Sequence, residues 1–140
     1  MHGNYCPNLL TNECDLLIAI GMRFDDRVTG DPKTYAKQAK IIHLDIDPAE
    51  INKNIKVEVP IIGDCKESLK LITKKIQKKS HEKWISNFDD LMKIEFDKVI
   101  NSDLNPSKKG LTMGESIIAI NEQTRGDAII VTDVGQHQMV

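Results

Sequence analysis

Two arginines and two aspartates crowd into the five residues Arg23 to Arg27, within the stretch GMRFDDRVTG from Gly21 to Gly30. The cluster follows the apolar run DLLIAI directly, so it sits where a buried strand should end. Open α/β sheets bind ligands beyond the carboxyl ends of their parallel strands, which gives charge at such a place a chemical reading. Three more stretches have the same character. Asp45 and Asp47 close AKIIHLDID, Gly63 and Asp64 close VEVPIIGD, and Asp133, Gly135, Gln136 and His137 follow DAIIVT.

These residue types suit a nucleotide. Glycine at a strand end admits a ligand close to the backbone. Arginine forks match phosphate oxygens. An acid at a strand end can accept ribose hydroxyl hydrogen bonds. Gly63-Asp64 leads into a helix start, where amide donors are free. Plainer readings stand beside these. Arg23, Asp25, Asp26 and Arg27 could pair with one another and only stiffen a loop. Asp45 and Asp47 could be a solvated strand end before a proline turn. His43, inside an apolar run, reads as a satisfied core histidine. In DVGQHQM, Gly135, Gln136 and His137 could open a helix as a diphosphate cradle, or His137 could merely cap or pack.

The elements that position these loops can be read from the pattern. Asp15 to Gly21 reads as a buried strand, Ala39 to Asp47 as a second, and Val57 to Asp64 as an edge or irregular strand because of Pro60. Pro48 opens a short turn or helical piece. Asp64 is a helix N-cap with Glu67 three residues on, and Cys65, Leu69, Ile72 and Ile76 share one helical face in DCKESLKLITKKIQKK. Ile85, Phe88, Met92, Phe96 and Val99 recur at helical spacing in an amphipathic stretch. Thr112 and Glu115 form a capping box for a further helix, with Gly126 as its stop. Asp127 to Asp133 reads as a fourth buried strand. The fold class is α/β, with a parallel, Rossmann-like sheet.

Composition narrows the function. The 140 residues are 40% hydrophobic and 29% charged, with 19 basic against 21 acidic residues and a net charge of -2. No basic excess marks a nucleic-acid surface. The run KLITKKIQKK reads as the solvated face of a helix. No apolar stretch approaches the roughly 18 residues of a membrane span. The three cysteines lack metal-ligand spacing and suggest a reduced, intracellular protein. The chain opens without a lead-in strand and stops just after an apolar run, which suggests a fragment of a longer polypeptide.

CDLLIAIGMRFDDRVTG, AKIIHLDIDPAEINKN, the GD step and VTDVGQHQM resemble, in that order, the catalytic subunits of acetohydroxyacid synthases (acetolactate synthases), a family of thiamine-diphosphate enzymes. The resemblance runs from Met1 to Val140 and is generic from His81 to Lys109. It implies residues 1–79 as the C-terminal half of a central FAD-binding domain, 80–110 as a helical linker, and 111–140 as the start of a thiamine-diphosphate-binding domain. It implies the decarboxylating condensation of pyruvate with a second 2-oxoacid, pyruvate or 2-oxobutyrate, in branched-chain amino acid synthesis. The implied cofactors are thiamine diphosphate, FAD and Mg2+.

By the same resemblance, Met1, His2, Gly21, Met22, Arg23, Asp25, Arg27 and Val28 would lie along the flavin, with Asp26 and Arg27 also near the substrate channel. Asp45, Ile46, Glu50, Gly63, Asp64 and Cys65 would hold the nucleotide part of FAD. Val134, Gly135, Gln136 and His137 would begin the thiamine-diphosphate cradle. The catalytic glutamate and the metal ligands would lie outside this chain, so no catalytic residue is assigned and residues 1–140 alone are expected to be inactive. A homodimer or tetramer, a small regulatory subunit and a cytoplasmic location, with a plastid as the alternative, are implied with them. The other readings are a related carboligase or decarboxylase, a pyruvate oxidase, or a non-catalytic nucleotide-binding module.

Overall fold

A computed structural model describes residues 4–106 and 109–135. Helix α1 (Tyr5–Glu13) leads into strand β1 (Leu16–Ile20), and a four-residue helix α2 (Asp26–Thr29) and a turn lead to strand β2 (Lys40–Asp45). A 3-10 turn at Pro48–Glu50 precedes strand β3 (Val59–Ile62). Helix α3 (Cys65–Thr73) comes next, then α4 (Glu82–Glu95), a wider π turn at Phe96–Ile100, α5 (Asn101–Leu104) and α6 (Met113–Thr124).

The three strands form a parallel sheet in the order β1-β2-β3. Ala19, His43 and Pro60 lie in one row across it, and Ile20 pairs with Leu44. Pro60 is accommodated because β3 is an edge strand, as expected. β3 is shorter than its apolar run: Val57 is buried but precedes the strand.

The core lies on one face of the sheet. Ala19 and Ile41 pack there with Phe24, Tyr35, Ala36, Ile55 and Val57, and Leu17 and Met22 join from the edge. On the opposite face only Leu44 is fully buried, and α3 lies against β2. This corrects the reading of β1 as a buried strand. Leu16, Ile18 and Ile20 are 46%, 53% and 46% exposed, because no described element covers that side of β1.

Two other expectations fail. α3 stops at Thr73 instead of running through Lys79, and Ile76 is exposed. Lys66, Lys70, Lys74 and Lys78 recur at i,i+4 spacing, where like charges repel. Lys70 is paired with Glu67 at 2.7 Å, but no acid lies between Lys74 and Lys79. The fourth strand does not form among the described residues: 127–133 join no sheet, and Ile129 and Val131 are 96% and 89% exposed. A strand needs a neighbour for its backbone groups, and none of the described residues supplies one. Ile130 and Ala128 instead face α6 across a small hollow lined by Ile117, Ile120 and Thr124.

The two later helical stretches form as read, and α1 and α2 add helices that the pattern did not announce. The amphipathic stretch is one helical run from Glu82 to Leu104, and α1 packs on it: the Tyr5 N–H donates to Glu95 Oε1 at 2.9 Å. Burial pushes the Cys6 thiol up, with the Glu95 and Asp89 carboxylates adding to the shift. α6 carries the expected reciprocal capping box of Thr112 and Glu115. Its last residue passes to a left-handed Arg125 before Gly126.

Leu44, fully buried in the central strand, is the residue on which the sheet's second face most depends. Leu44→Ala should lower the unfolding free energy by about 2–5 kcal/mol. Lys40→Ala, exposed on the same strand, should change it by less than about 0.5 kcal/mol. Urea denaturation of the two variants checks the contrast.

Candidate functional site

Parallel pairing sends all three strands in one direction, so their carboxyl ends share one edge. Two backbone hydrogen bonds show how closely. The Gly21 N–H donates to Leu44 O at 2.8 Å, and the Gly63 N–H donates to Asp45 O at 2.9 Å. Each extends the ladder just past a strand end. Gly21, Asp45 and Gly63, expected from the sequence at three separate strand ends, are therefore lateral neighbours. Gly21 has φ +61°, and a β-carbon placed on it would meet nothing within 4 Å, so the backbone there faces open space.

The charge cluster begins next to Gly21, and its anchor is an aromatic ring. Phe24 is 2% exposed and meets Tyr35 and His43 edge-to-face, at centroid distances of 6.2 and 5.1 Å. Its φ of +52° is uncommon for a bulky residue and costs roughly 1–2 kcal/mol. Burying the ring contributes about 1.5–3 kcal/mol, enough to hold it. Asn54 secures the same turn by donating to Phe24 O at 3.1 Å. Neither residue stands out as a site residue in the sequence. An aromatic inside MRFDD is the one signal that could have drawn notice to Phe24.

With Phe24 fixed, the four charged side chains separate by role. Asp25 caps α2: its Oδ1 accepts the Arg27 and Val28 N–H groups at 3.1 and 3.2 Å. Its Oδ2 meets Arg23 Nη2 at 3.3 Å, an exposed pair of the kind that contributes little. The loop-stiffening alternative is thus met for Arg23 and Asp25. Asp26 and Arg27 are exposed, and no ion pair is found for either among the described residues. Val28 is exposed, while Met22 packs on the core.

Beyond β2, Asp45 is 7% exposed, which corrects the reading of it as a solvated strand end. Its Oδ1 accepts the Asp47 N–H at 2.9 Å. Asp47 in turn caps the Pro48 turn through the Ala49 N–H. Ile46 projects outward, 72% exposed. Glu50 Oε1 holds Lys53 Nζ at 2.7 Å, whereas its Oε2 is buried with no partner among the described residues. Beyond Gly63, Asp64 caps α3 by accepting the Glu67 N–H at 3.1 Å, and Cys65, half-buried, is a free thiol in the first turn. His43 lies in the core, but it is not satisfied: neither ring nitrogen has a hydrogen bond among the described residues.

The last cluster reads as the start of a separate cradle, and only Asp133, Val134 and Gly135 of it are described. Val134 is 85% exposed, its N–H donating to Asp133 Oδ1 at 2.6 Å, and Gly135 is half-buried. Met1, His2, Gln136 and His137 lie outside the described residues. A wider hollow, lined by Ser80, His81, Trp84 and Asn87, lies at the start of α4 and holds none of the expected residues.

The described residues define a parallel α/β sheet whose carboxyl edge carries the glycines and acids suited to a nucleotide. Comparison with known proteins makes the class definite. The thiamine pyrophosphate enzyme central-domain family matches residues 1–72, and the chain belongs to it. It is also similar to individual members. It is 43% identical, over 99% of its length, to the probable acetolactate synthase large subunit of Methanocaldococcus jannaschii, of which it covers 24%. The acetolactate synthase large subunit of Lactococcus lactis is 42% identical over the same share, and the chain covers 24% of it. The chloroplastic acetolactate synthase 2 of Zea mays is 42% identical over 99% of the chain, which covers 22% of that protein. The chain thus spans about a quarter of the length of these relatives.

Asp25 is the structural centre of the charged loop. Asp25→Ala should cost about 0.5–2 kcal/mol through loss of the cap. Asp25→Asn, which keeps an acceptor oxygen, should recover most of that. Thermal melts of the two variants beside the parent test this.

Proposed function

We propose that the chain is part of the catalytic subunit of an acetolactate synthase, condensing pyruvate with pyruvate or 2-oxobutyrate with loss of carbon dioxide. The observation that carries this reading is the shared edge formed by Gly21, Asp45 and Gly63, in a chain about 40% identical to named acetolactate synthase subunits. In this reading residues 1–79 belong to a FAD-binding central domain, 80–110 link it onward, and 111–140 begin a domain that helps to hold thiamine diphosphate. The protein works as a homodimer or tetramer, with a small regulatory subunit, in the cytoplasm or a plastid. No helix among the described residues is long and apolar enough to cross a membrane.

Features of the edge fit a flavin nucleotide. The buried Glu50 Oε2 lacks a donor among the described residues, as an acceptor for a ligand hydroxyl would in the free protein. The space beside Gly21 is open to a ligand. Arg23 and Arg27 are exposed cations in the loop that follows Gly21. When bound, thiamine diphosphate with Mg2+ supplies the group on which decarboxylation and carbon–carbon bond formation proceed, and FAD is a bound flavin without net redox change.

The chain's own residues bind and orient. Arg23 and Arg27 present guanidinium donors to the flavin. Gly21, Met22, Asp25 and Val28 shape the loop that carries them. Asp45, Ile46, Glu50, Gly63, Asp64 and Cys65 surround the nucleotide end. Met1 and His2 complete the flavin contact, and Val134, Gly135, Gln136 and His137 begin the thiamine-diphosphate cradle.

Replacing either arginine tests the reading in the whole protein. Arg23→Ala or Arg27→Ala should weaken FAD binding roughly ten- to a hundredfold, the effect of losing one charge-assisted hydrogen bond. Excess FAD should restore part of the activity, and lysine should rescue poorly where the guanidinium fork is used. Titration of the apo-protein by flavin fluorescence measures this. Unchanged FAD affinity in both variants, with only a lower melting temperature, would mean that the cluster merely stiffens its loop.

A further inference from the structure

The strongest unexplained group is the His43 imidazole. It is fully buried in the central strand, in the row between Ala19 and Pro60, with Phe24 edge-on against it. Neither Nδ1 nor Nε2 has a hydrogen-bond partner among the described residues. Buried polar atoms left unpaired are costly, and an aliphatic side chain would avoid that cost. Ile41, two residues earlier on the same face, shows that the core accepts one.

The imidazole faces one carboxylate. Nε2 lies 3.7 Å from Asp45 Oδ2, beyond hydrogen-bond length by somewhat under about 1 Å. Asp45 Oδ1 is already engaged by the Asp47 N–H, which leaves Oδ2 as the oxygen still to be fixed.

We propose that His43 is a positioning residue for Asp45. On cofactor binding its Nε2–H donates to Oδ2 and locks the carboxylate plane, so that Asp45 presents a fixed acceptor to a ribose hydroxyl. The inference rests on the proposed role of Asp45 at the nucleotide end of FAD. It adds a second row of support beneath that contact, drawn from the core of the sheet.

The test is a set of FAD titrations of the apo form of the whole protein, read by flavin fluorescence, beside melting curves. His43→Leu should weaken FAD binding by about tenfold, the loss of one buried hydrogen bond, while leaving the melting temperature unchanged or raised. His43→Gln, whose amide reaches to the place of Nε2, should stay within about threefold of the parent. In an Asp45→Asn background His43→Leu should have no further effect. Should His43→Leu not fold, His43→Asn takes its place, since its amide is too short to reach Oδ2. Equal FAD affinity in parent and His43→Leu, a glutamine variant as weak as the leucine one, or an undiminished loss in the Asp45→Asn background would overturn the inference. If Asp45→Asn weakens binding and His43→Leu does not, only the role of His43 falls. If Asp45→Asn itself leaves FAD affinity unchanged, the assignment of Asp45 falls, and the role of His43 with it.

Discussion

Two backbone hydrogen bonds set the geometry on which the candidate site depends. Gly21 N–H to Leu44 O, at 2.8 Å, and Gly63 N–H to Asp45 O, at 2.9 Å, carry the parallel ladder beyond the ends of β1 and β3. Residues more than forty positions apart in sequence are thereby held within one strand spacing on either side of β2. Parallel pairing makes this possible, because it brings like ends together, while antiparallel pairing would place alternate loops at opposite edges. The central strand is the one that both bonds address, and it carries the most deeply buried residues of the sheet, His43 and Leu44.

The loop beyond each strand end is shaped by the core beneath it. Phe24 turns back into the core through a backbone conformation that a bulky residue rarely takes, and its ring meets Tyr35 and His43. The charged residues on either side are thereby displayed outward instead of trailing into a floppy connection. Asn54 ties this loop to the segment between β2 and β3 by hydrogen bonds to the Arg23 and Phe24 carbonyls. The Asp45–Asp47–Ala49 relay of side-chain caps does the same for the turn after β2. Core packing and the display of polar groups are here two sides of the same residues.

Much of this was legible in the sequence, for identifiable reasons. Apolar runs closed by glycine or acids located β1 and β2, and the Pro60 interruption marked β3 as an edge strand. The Thr112–Glu115 spacing gave a capping box that forms as read. The failures share a cause, since pattern alone does not say whether a partner is present. DLLIAI and DAIIVT both read as buried strands. The first finds β2, yet one of its faces stays exposed, and the second pairs with no described strand. The lysine repeat after Thr73 ends a helix that its apolar spacing would have prolonged. At the site, the glycines and acids were legible because their types are unusual at strand ends. Phe24, Asn54 and the unsatisfied state of His43 were not, because each depends on contacts between segments.

If three separate segments make one binding edge, a ligand must reach all of them at once. Hydrogen–deuterium exchange of the whole protein, with and without FAD, tests this most directly, since binding slows the local opening by which amides exchange. FAD should slow exchange together in residues 21–28, 45–50 and 63–66, and leave the exposed helical run 82–104 unchanged. Protection confined to one of the three segments, or appearing in 82–104 while they stay unaltered, would contradict a shared edge.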